Sequence, residues 1–321
     1  MLPSCSLSCS SRSSTEPSNR DRDRQCAYAC IVIDRELRLE LPFNITEIDR
    51  ASHLRTDEAW LQATLKDPAS GVLDVYGATK VPLLSEDALD WRSVAAGDDT
   101  LIFLGLRADG SAMFACDAGD EEPPKRSLGQ MREVGPSLVD PEGAAAIQAI
   151  ALTSWHRRHG HCSVCGARTD MGEAGHTRHC ANCGNDHYPR MDPAVIMLVT
   201  DGERCVLGRR AAAPGGRWST LAGYVEPGEA PESAVVREVF EESGLRVTEV
   251  QYRGSQPWPF PSSLMLAFEA HAEYQALVPS PEHQEVRWFS RAEIVEGLAD
   301  GTMTIPPPIS AGHHLIQSFL R

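Results

Sequence analysis

The 321-residue sequence has no apolar run of eighteen residues, the length a helix needs to cross a bilayer, so no membrane span is expected. Positive charge is short: 30 Lys and Arg stand against 45 Asp and Glu, a net charge of -15. That balance excludes a general attraction to long nucleic acid or to an anionic membrane, so a polyphosphate substrate would have to be held through bound cations. Lysine is scarce, with only Lys66, Lys80 and Lys125, and this bias toward arginine carries no functional reading. No short-period repeat is evident. Met1–Gln25 is rich in Ser and Arg and lacks the apolar core of a secretory signal. It reads as a disordered tail, with a transit peptide as the alternative because acids are few before Asp21. Cys5, Cys9, Cys26, Cys30, Cys116 and Cys205 show no framework spacing, which suits a reducing cytoplasm rather than a disulfide scaffold.

What is present is enough for two ordinary domains and a small module, with 42% hydrophobic residues to fill their cores. Residues 26–155 form the first region. It opens on the apolar run Ile31–Ile33, and Leu101–Leu106 and Ser111–Cys116 flank Ala108-Asp109-Gly110, which predicts a β-hairpin. The acidic, Pro-bounded stretch Asp117–Pro124 reads as a linker. A helix is expected over Glu142–His159, with Ala145, Ile147, Ile150, Leu152 and Trp155 giving an uneven apolar stripe. A cysteine-rich module occupies 156–190, and 191–321 form an α/β region. Strands are expected there at Ala194–Val199, Cys205–Gly208, Leu264–Glu273 and Glu285–Phe289, and helices at Pro231–Ser243 and Ser310–Leu320.

In the module, Cys162-x2-Cys165 and Cys180-x2-Cys183 are separated by fourteen residues, and Gly166 and Gly184 follow the pairs directly. Two such knuckles converge to give four thiolates around one Zn2+, and four thiolates leave no open position, so the site is structural. His161, His176, His179 and His187 are read as ordinary polar residues beside them. Arg168, Arg178 and Arg190 are balanced by Asp170, Glu173 and Asp186, which gives no phosphate-binding stripe for nucleic acid.

Pro231 and Glu232 suit a helix start, and Gly244 a left-handed stop. At 100° per residue, Val235, Val236, Val239 and Phe240 cluster on one face, with Glu238, Glu241 and Glu242 on the opposite side. Such carboxylates repel one another unless a hard divalent cation lies among them; a solvated acidic face is the alternative. The wider pattern Gly223-x5-Glu229-x7-Arg237-Glu238-Val239-x-Glu241-Glu242-x-Gly244-Leu245 resembles the box of Nudix hydrolases at every defined position. The resemblance implies an α/β (α+β) fold, the Nudix α/β/α sandwich with a mixed sheet. It also implies that Glu238 and Glu242 are metal ligands, that Glu241 is a further ligand or the base, and that Glu229 and Arg237 form a bracing pair.

Ser255-Gln-Pro-Trp-Pro-Phe-Pro-Ser-Ser263 begins ten residues beyond the box. Prolines stiffen it, Trp258 and Phe260 offer flat surfaces, and Gln256, Ser262 and Ser263 offer hydrogen bonds; a Pro-rich surface turn has the same composition. The array is similar to the signature of the NADH pyrophosphatase branch of Nudix enzymes, which carries a four-cysteine zinc ribbon before its catalytic domain and a degenerate Nudix-like N-terminal domain. What that branch implies here is a substrate site made of Tyr188, Tyr224, Gln256, Pro257, Trp258, Pro259, Phe260, Pro261, Ser262, Ser263 and Gly312. Further metal contacts are implied at the Ala222 carbonyl and at Glu282, with Glu285 as its competitor. Gly312 stands where alanine is usual, and His161 where an aromatic often precedes the first cysteine. The implied reaction is hydrolysis of NADH or NAD+ to NMNH or NMN and AMP, using two to three Mg2+ or Mn2+ ions beside one Zn2+. Removal of an NAD cap from the 5′ end of RNA and non-catalytic nucleotide binding are the competing readings, and a homodimer is the implied assembly.

Overall fold

Short runs of β-branched and aromatic residues between turn signals set the first half of the chain into strands. In the computed structural model, which describes residues 39–43, 48–98, 100–138, 141–210, 217–278 and 280–321, the elements begin with α1 (Glu58–Thr64), β1 (Gly71–Val75) and β2 (Lys80–Pro82). They continue with β3 (Ile102–Leu106), β4 (Ala112–Asp117), β5 (Leu128–Gln130), the short α2 (Met131–Val134) and α3 (Glu142–Arg158). The expected tail and the run Ile31–Ile33 lie outside the described residues. Strands β3 and β4 pair antiparallel as the expected hairpin, with Gly110 at φ 85°. β4 also pairs in parallel with β1, giving the order β1-β4-β3.

Helix α3 is buried from Gly143 through Trp155 on nearly every side, which explains why its stripe looked uneven: it crosses the middle of a core instead of capping one face. Leu73, Ile102, Leu104, Met113, Ala149 and Ile150 meet there, and Ile309 joins from the far end of the chain. Asp117–Pro124 is not a linker between domains. Its acids are tied back, Asp120 to Arg157 at 2.6 Å and Glu122 to Lys80, and the chain returns through β5 to pair with β2.

The cysteine module forms β6 (Asp170–Gly172), β7 (Thr177–His179) and β8 (Asp186–His187), paired antiparallel in that order. The second half begins with β9 (Asp192–Thr200), β10 (Arg204–Arg209), β11 (Leu221–Tyr224) and α4 (Pro231–Ser243). After these come β12 (Glu249–Trp258), β13 (Ser263–His271), β14 (Glu285–Ser290), α5 (Arg291–Asp300) and α6 (Ala311–Leu320). The sheet order is β12-β13-β9-β10-β14, with β11 also on β9; β13 runs parallel to β9 and the other pairs are antiparallel, so the sheet is mixed.

Strand β9 shows why both faces are covered. Val195, Met197 and Val199 face a cluster with Val235 and Val239 of α4, while Ile196 and Leu198 face Ile294 of α5 and Leu315 and Ile316 of α6. The result is the expected α/β/α sandwich. Within the sandwich, β11, β12 and α5 were not read from the sequence. Helix α5 is announced by a Ser290–Glu293 capping box. Strand β12 takes in Gln256, Pro257 and Trp258, and Pro257 is tolerated because β12 is the edge of its sheet.

Candidate active site and zinc centre

Gly166 (φ 77°) and Gly184 (φ 73°) turn the two knuckles, and their N–H groups donate to the Cys162 and Cys180 carbonyls at 2.9 and 2.8 Å. The four sulfurs come within 4.8 Å of one another, with Cys162–Cys183 and Cys165–Cys180 at 3.5 Å. Thiolates at ~2.3 Å from a tetrahedral Zn2+ stand about 3.8 Å apart, so this cluster fits the ion. The Ala167 amide, followed by the Asn182 side chain, pulls the Cys165 thiol down to about 6, toward the form a metal takes. The four histidines stand outside the cluster: His176 donates to the Phe103 carbonyl at 2.7 Å, His179 pairs with Asp186, and His161 is exposed. His187 leans on the Cys162 sulfur at 3.2 Å.

Helix α4 places the glutamates, but not on one outer face. Ala234, Val235, Val239 and Ser243 are buried, whereas Val236 and Phe240 are 43% and 48% exposed. Glu242 follows Val235 by seven residues, nearly two full turns at about 100° per residue, and so lies on the buried edge at 3% exposure. Neither of its carboxylate oxygens has a hydrogen-bond partner among the described residues, although the Ala222 amide approaches without forming a sound bond. Arg210 Nη2 stands 3.6 Å from Oε1. Burial pushes the Glu242 carboxyl up to about 7; Arg210 opposes this, and the charges of Glu238 and Glu282 add to it. A buried carboxylate without a hydrogen bond has the chemistry of a cation ligand.

Arg237 spends its whole fork on this helix and on the loop before it. It grips Glu229 twice at 2.8 Å, and reaches Glu238 at 2.8 Å, Glu241 at 3.0 Å and the Tyr224 carbonyl at 2.9 Å. In return, Arg237 holds the Glu229 carboxyl down to about 2. Glu238 can press against β11 only because residue 223 is glycine: a Cβ there would lie 1.9 Å from the Glu238 carboxyl carbon. Ala222 precedes it on β11, opposite Ile196. Glu282 is exposed, whereas Glu285 is tied to Arg209 at 2.9 Å, so Glu282 has the freer carboxylate of the two.

The aromatic signature meets the first half of the chain. Trp258 and Phe260 pack edge to face at 5.1 Å against the core around α3, and the Arg132 guanidinium lies 4.8 Å from the Phe260 ring and 5.6 Å from that of Trp258. Gln256 corrects the expectation of a substrate contact. Its amide is 1% exposed and is consumed by the Ile309 carbonyl at 2.7 Å and the Ala311 N–H at 2.9 Å, which fasten β12 to α6. Ser262 donates to Asp192 at 2.7 Å, Pro259 is buried, Pro257 faces Leu264 and Ser263 faces Trp258 across the ladder, and Pro261 is exposed. Tyr188 and Tyr224 leave their rings open, 68% and 56% exposed. Gly312 is buried with its N–H given to Ser310 Oγ at 3.2 Å, so that amide is closed to a ligand; an added Cβ would sit 3.1 Å from Thr220 Oγ1.

Comparison with known proteins decides the family. A NUDIX domain model matches residues 190–307, and an NADH pyrophosphatase zinc ribbon model matches residues 157–188. The NAD-capped RNA hydrolase NUDT12 of Macaca fascicularis is 40% identical, covering 87% of this chain and 73% of that protein, and that of Homo sapiens is 39% identical with the same coverage. The NAD-capped RNA hydrolase NudC of Mycobacterium tuberculosis is 35% identical over 84% of this chain and 92% of its own length. The chain belongs to the Nudix hydrolases. As a Nudix hydrolase it carries its glutamate helix and its zinc ribbon on one compact unit, Leu37–Arg321. Three residues of this Nudix site went unseen in the sequence: Arg132, Arg210 and His283. A lone arginine or histidine carries no local pattern, and only folding brings these three to the glutamates and the aromatic wall. No described helix is long and apolar enough to cross a membrane.

Proposed function

We propose that this enzyme hydrolyses the pyrophosphate bond of NADH, NAD+ and related dinucleotides, giving NMNH or NMN and AMP, and that the same chemistry removes the NAD cap from RNA. The observation that carries the reading is the buried Glu242 carboxylate, without a hydrogen bond among the described residues, on an intact Nudix helix. The residues suited to hold two to three Mg2+ or Mn2+ ions are Glu238, Glu241, Glu242, Glu282 and the Ala222 carbonyl. Such ions, when bound, neutralise the diphosphate and make a water acidic enough to attack phosphorus. Everything else falls to the chain's own groups. Arg237 fixes the rotamers of Glu238 and Glu241 before substrate arrives, so little reorganisation is left for the reaction. A glutamate of this set accepts the proton of the attacking water. Trp258, Phe260, Tyr224 and Tyr188 hold the bases, with Arg132 stacked on the first two. Gln256 acts at one remove by anchoring the strand that carries them.

Incubating the protein with NADH and Mn2+ and separating products by mass spectrometry should give AMP and NMNH in equal amounts. Glu242→Gln should lower kcat on the order of a thousandfold with melting temperature and zinc content unchanged; turnover as in the wild type would remove the helix from the mechanism. The RNA reading is favoured because the relatives are named NAD-capped RNA hydrolases over most of their length. NADH and NAD-capped RNA compared at one Mn2+ concentration rank the two substrates. Residues 26–155 are proposed as the degenerate N-terminal domain of this branch. A homodimer in a reducing cytoplasm completes the proposal, and light scattering at micromolar concentration tests the assembly.

A further inference from the structure

Glu242 is not alone in lacking a hydrogen bond among the described residues. The His283 side chain is 4% exposed, and its Nδ1 is buried with no hydrogen-bond partner among the described residues. That nitrogen stands 3.8 Å from Glu242 Oε1, which is too far for a hydrogen bond. Two donors on one ion with bonds of about 2.1 Å stand roughly 3.0 Å apart at right angles and roughly 4.2 Å apart when opposed, so 3.8 Å falls within the span of a shared cation.

The imidazole is placed there by the backbone around it. A Cβ on Gly208 would lie 2.4 Å from His283 Cδ2 and 2.6 Å from Nε2, so the ring rests directly on the main chain of β10. The His283 N–H donates to the Ser280 carbonyl at 3.2 Å and the Gln284 N–H to the Arg209 carbonyl at 2.8 Å, which fixes the turn that aims the ring inward. The charged groups facing it are Glu242, Glu282 and Arg210. Arg210 approaches the same Glu242 oxygen and reaches the Ala222 carbonyl at 3.5 Å, but its side chain is 56% exposed, whereas the His283 side chain is 4% exposed.

We propose that His283 Nδ1 is a metal ligand: with Glu242 it completes one cation position of the catalytic cluster, and the nitrogen biases that position toward Mn2+ and against Mg2+. The chemical ground is that Mg2+ takes oxygen donors, while imidazole favours transition ions. This rests on the proposed function in placing a cation at Glu242, and it adds both a ligand and a metal preference.

Pulsed electron paramagnetic resonance on the full-length, zinc-containing protein loaded with Mn2+ tests it. The wild type should show nitrogen-14 modulation that becomes nitrogen-15 modulation when histidine is labelled, and His283→Gln should lose it. Mn2+ affinity should fall by on the order of tenfold or more in His283→Gln and His283→Ala, with Mg2+ affinity moving much less. If Glu242→Gln abolishes Mn2+ binding but the wild type shows no histidine nitrogen coupling, His283 is not a ligand and a water bridges the pair. If Glu242→Gln leaves Mn2+ binding unchanged, the cation placement of the proposed function fails, and His283 as its partner fails with it.

Discussion

The cysteine cluster and the glutamate cluster both have the chemistry of cation sites, yet they are assembled in opposite ways. The thiols close to 3.5 Å, and among the described residues only they bring three or more ligand atoms within 4.8 Å of one another. Thiols are neutral when protonated and can pack together, and two glycine turns bring them there. Carboxylates carry charge, so the fold keeps them apart: Arg237 takes up Glu238 and Glu241, and Glu242 is withdrawn into the interior. On the proposed reading, one cluster is a closed structural site and the other an open, exchangeable one.

The comparison is broken most severely by Cys180→Ser. Structural zinc sites are worth about 10 kcal/mol or more, so this variant should lose its zinc by elemental analysis and its hydrogen-exchange protection across 160–188. The sandwich should stay folded, because its two cores do not include the ribbon. Next in size is Glu242→Gln, which should lower kcat on the order of a thousandfold while the zinc stays bound. Gly223→Ala sharpens the contrast further. The new methyl would displace the Glu238 carboxyl, and kcat should drop by on the order of a hundredfold with a melting temperature close to that of the wild type. An unchanged kcat would mean that the Glu238 position seen here is not the working one.

The smallest expected effect is electrostatic and lies where the ribbon meets β3. Burial, reinforced by Arg55 and Arg50 against the Phe103 bond, lowers the His176 imidazole from 6.5 to about 4. The folded state therefore favours neutral His176. Its contribution is fully present above pH 6.5 and is lost as pH falls toward 4, where the unfolded chain binds the extra proton. A shift of that size sets an upper bound near 3 kcal/mol, and partial exposure brings it to about 2. The His176 ring resonance should titrate with a midpoint near 4 by NMR; a midpoint at 6.5 would contradict this. The stability gap between wild type and His176→Gln should narrow on acidification.

What the sequence determined by itself is whatever was written within a short stretch of chain. Cys162 to Gly184 and Gly223 to Leu245 carry both clusters in runs of twenty-three residues each, because turns and a helix impose their own spacing. The hairpin at Asp109-Gly110 and the limits of α4 and α6 were legible for the same reason. Only the tertiary structure decided which polar groups would be spent. Gln256 reads as a substrate ligand until Ile309 and Ala311, more than fifty residues on, consume its amide. Glu242 reads as an outward glutamate until α4 settles on β9 and β11, and His283 carries no pattern until Gly208 admits its ring. Burial and partnership are properties of packing between distant segments, and no local period encodes them.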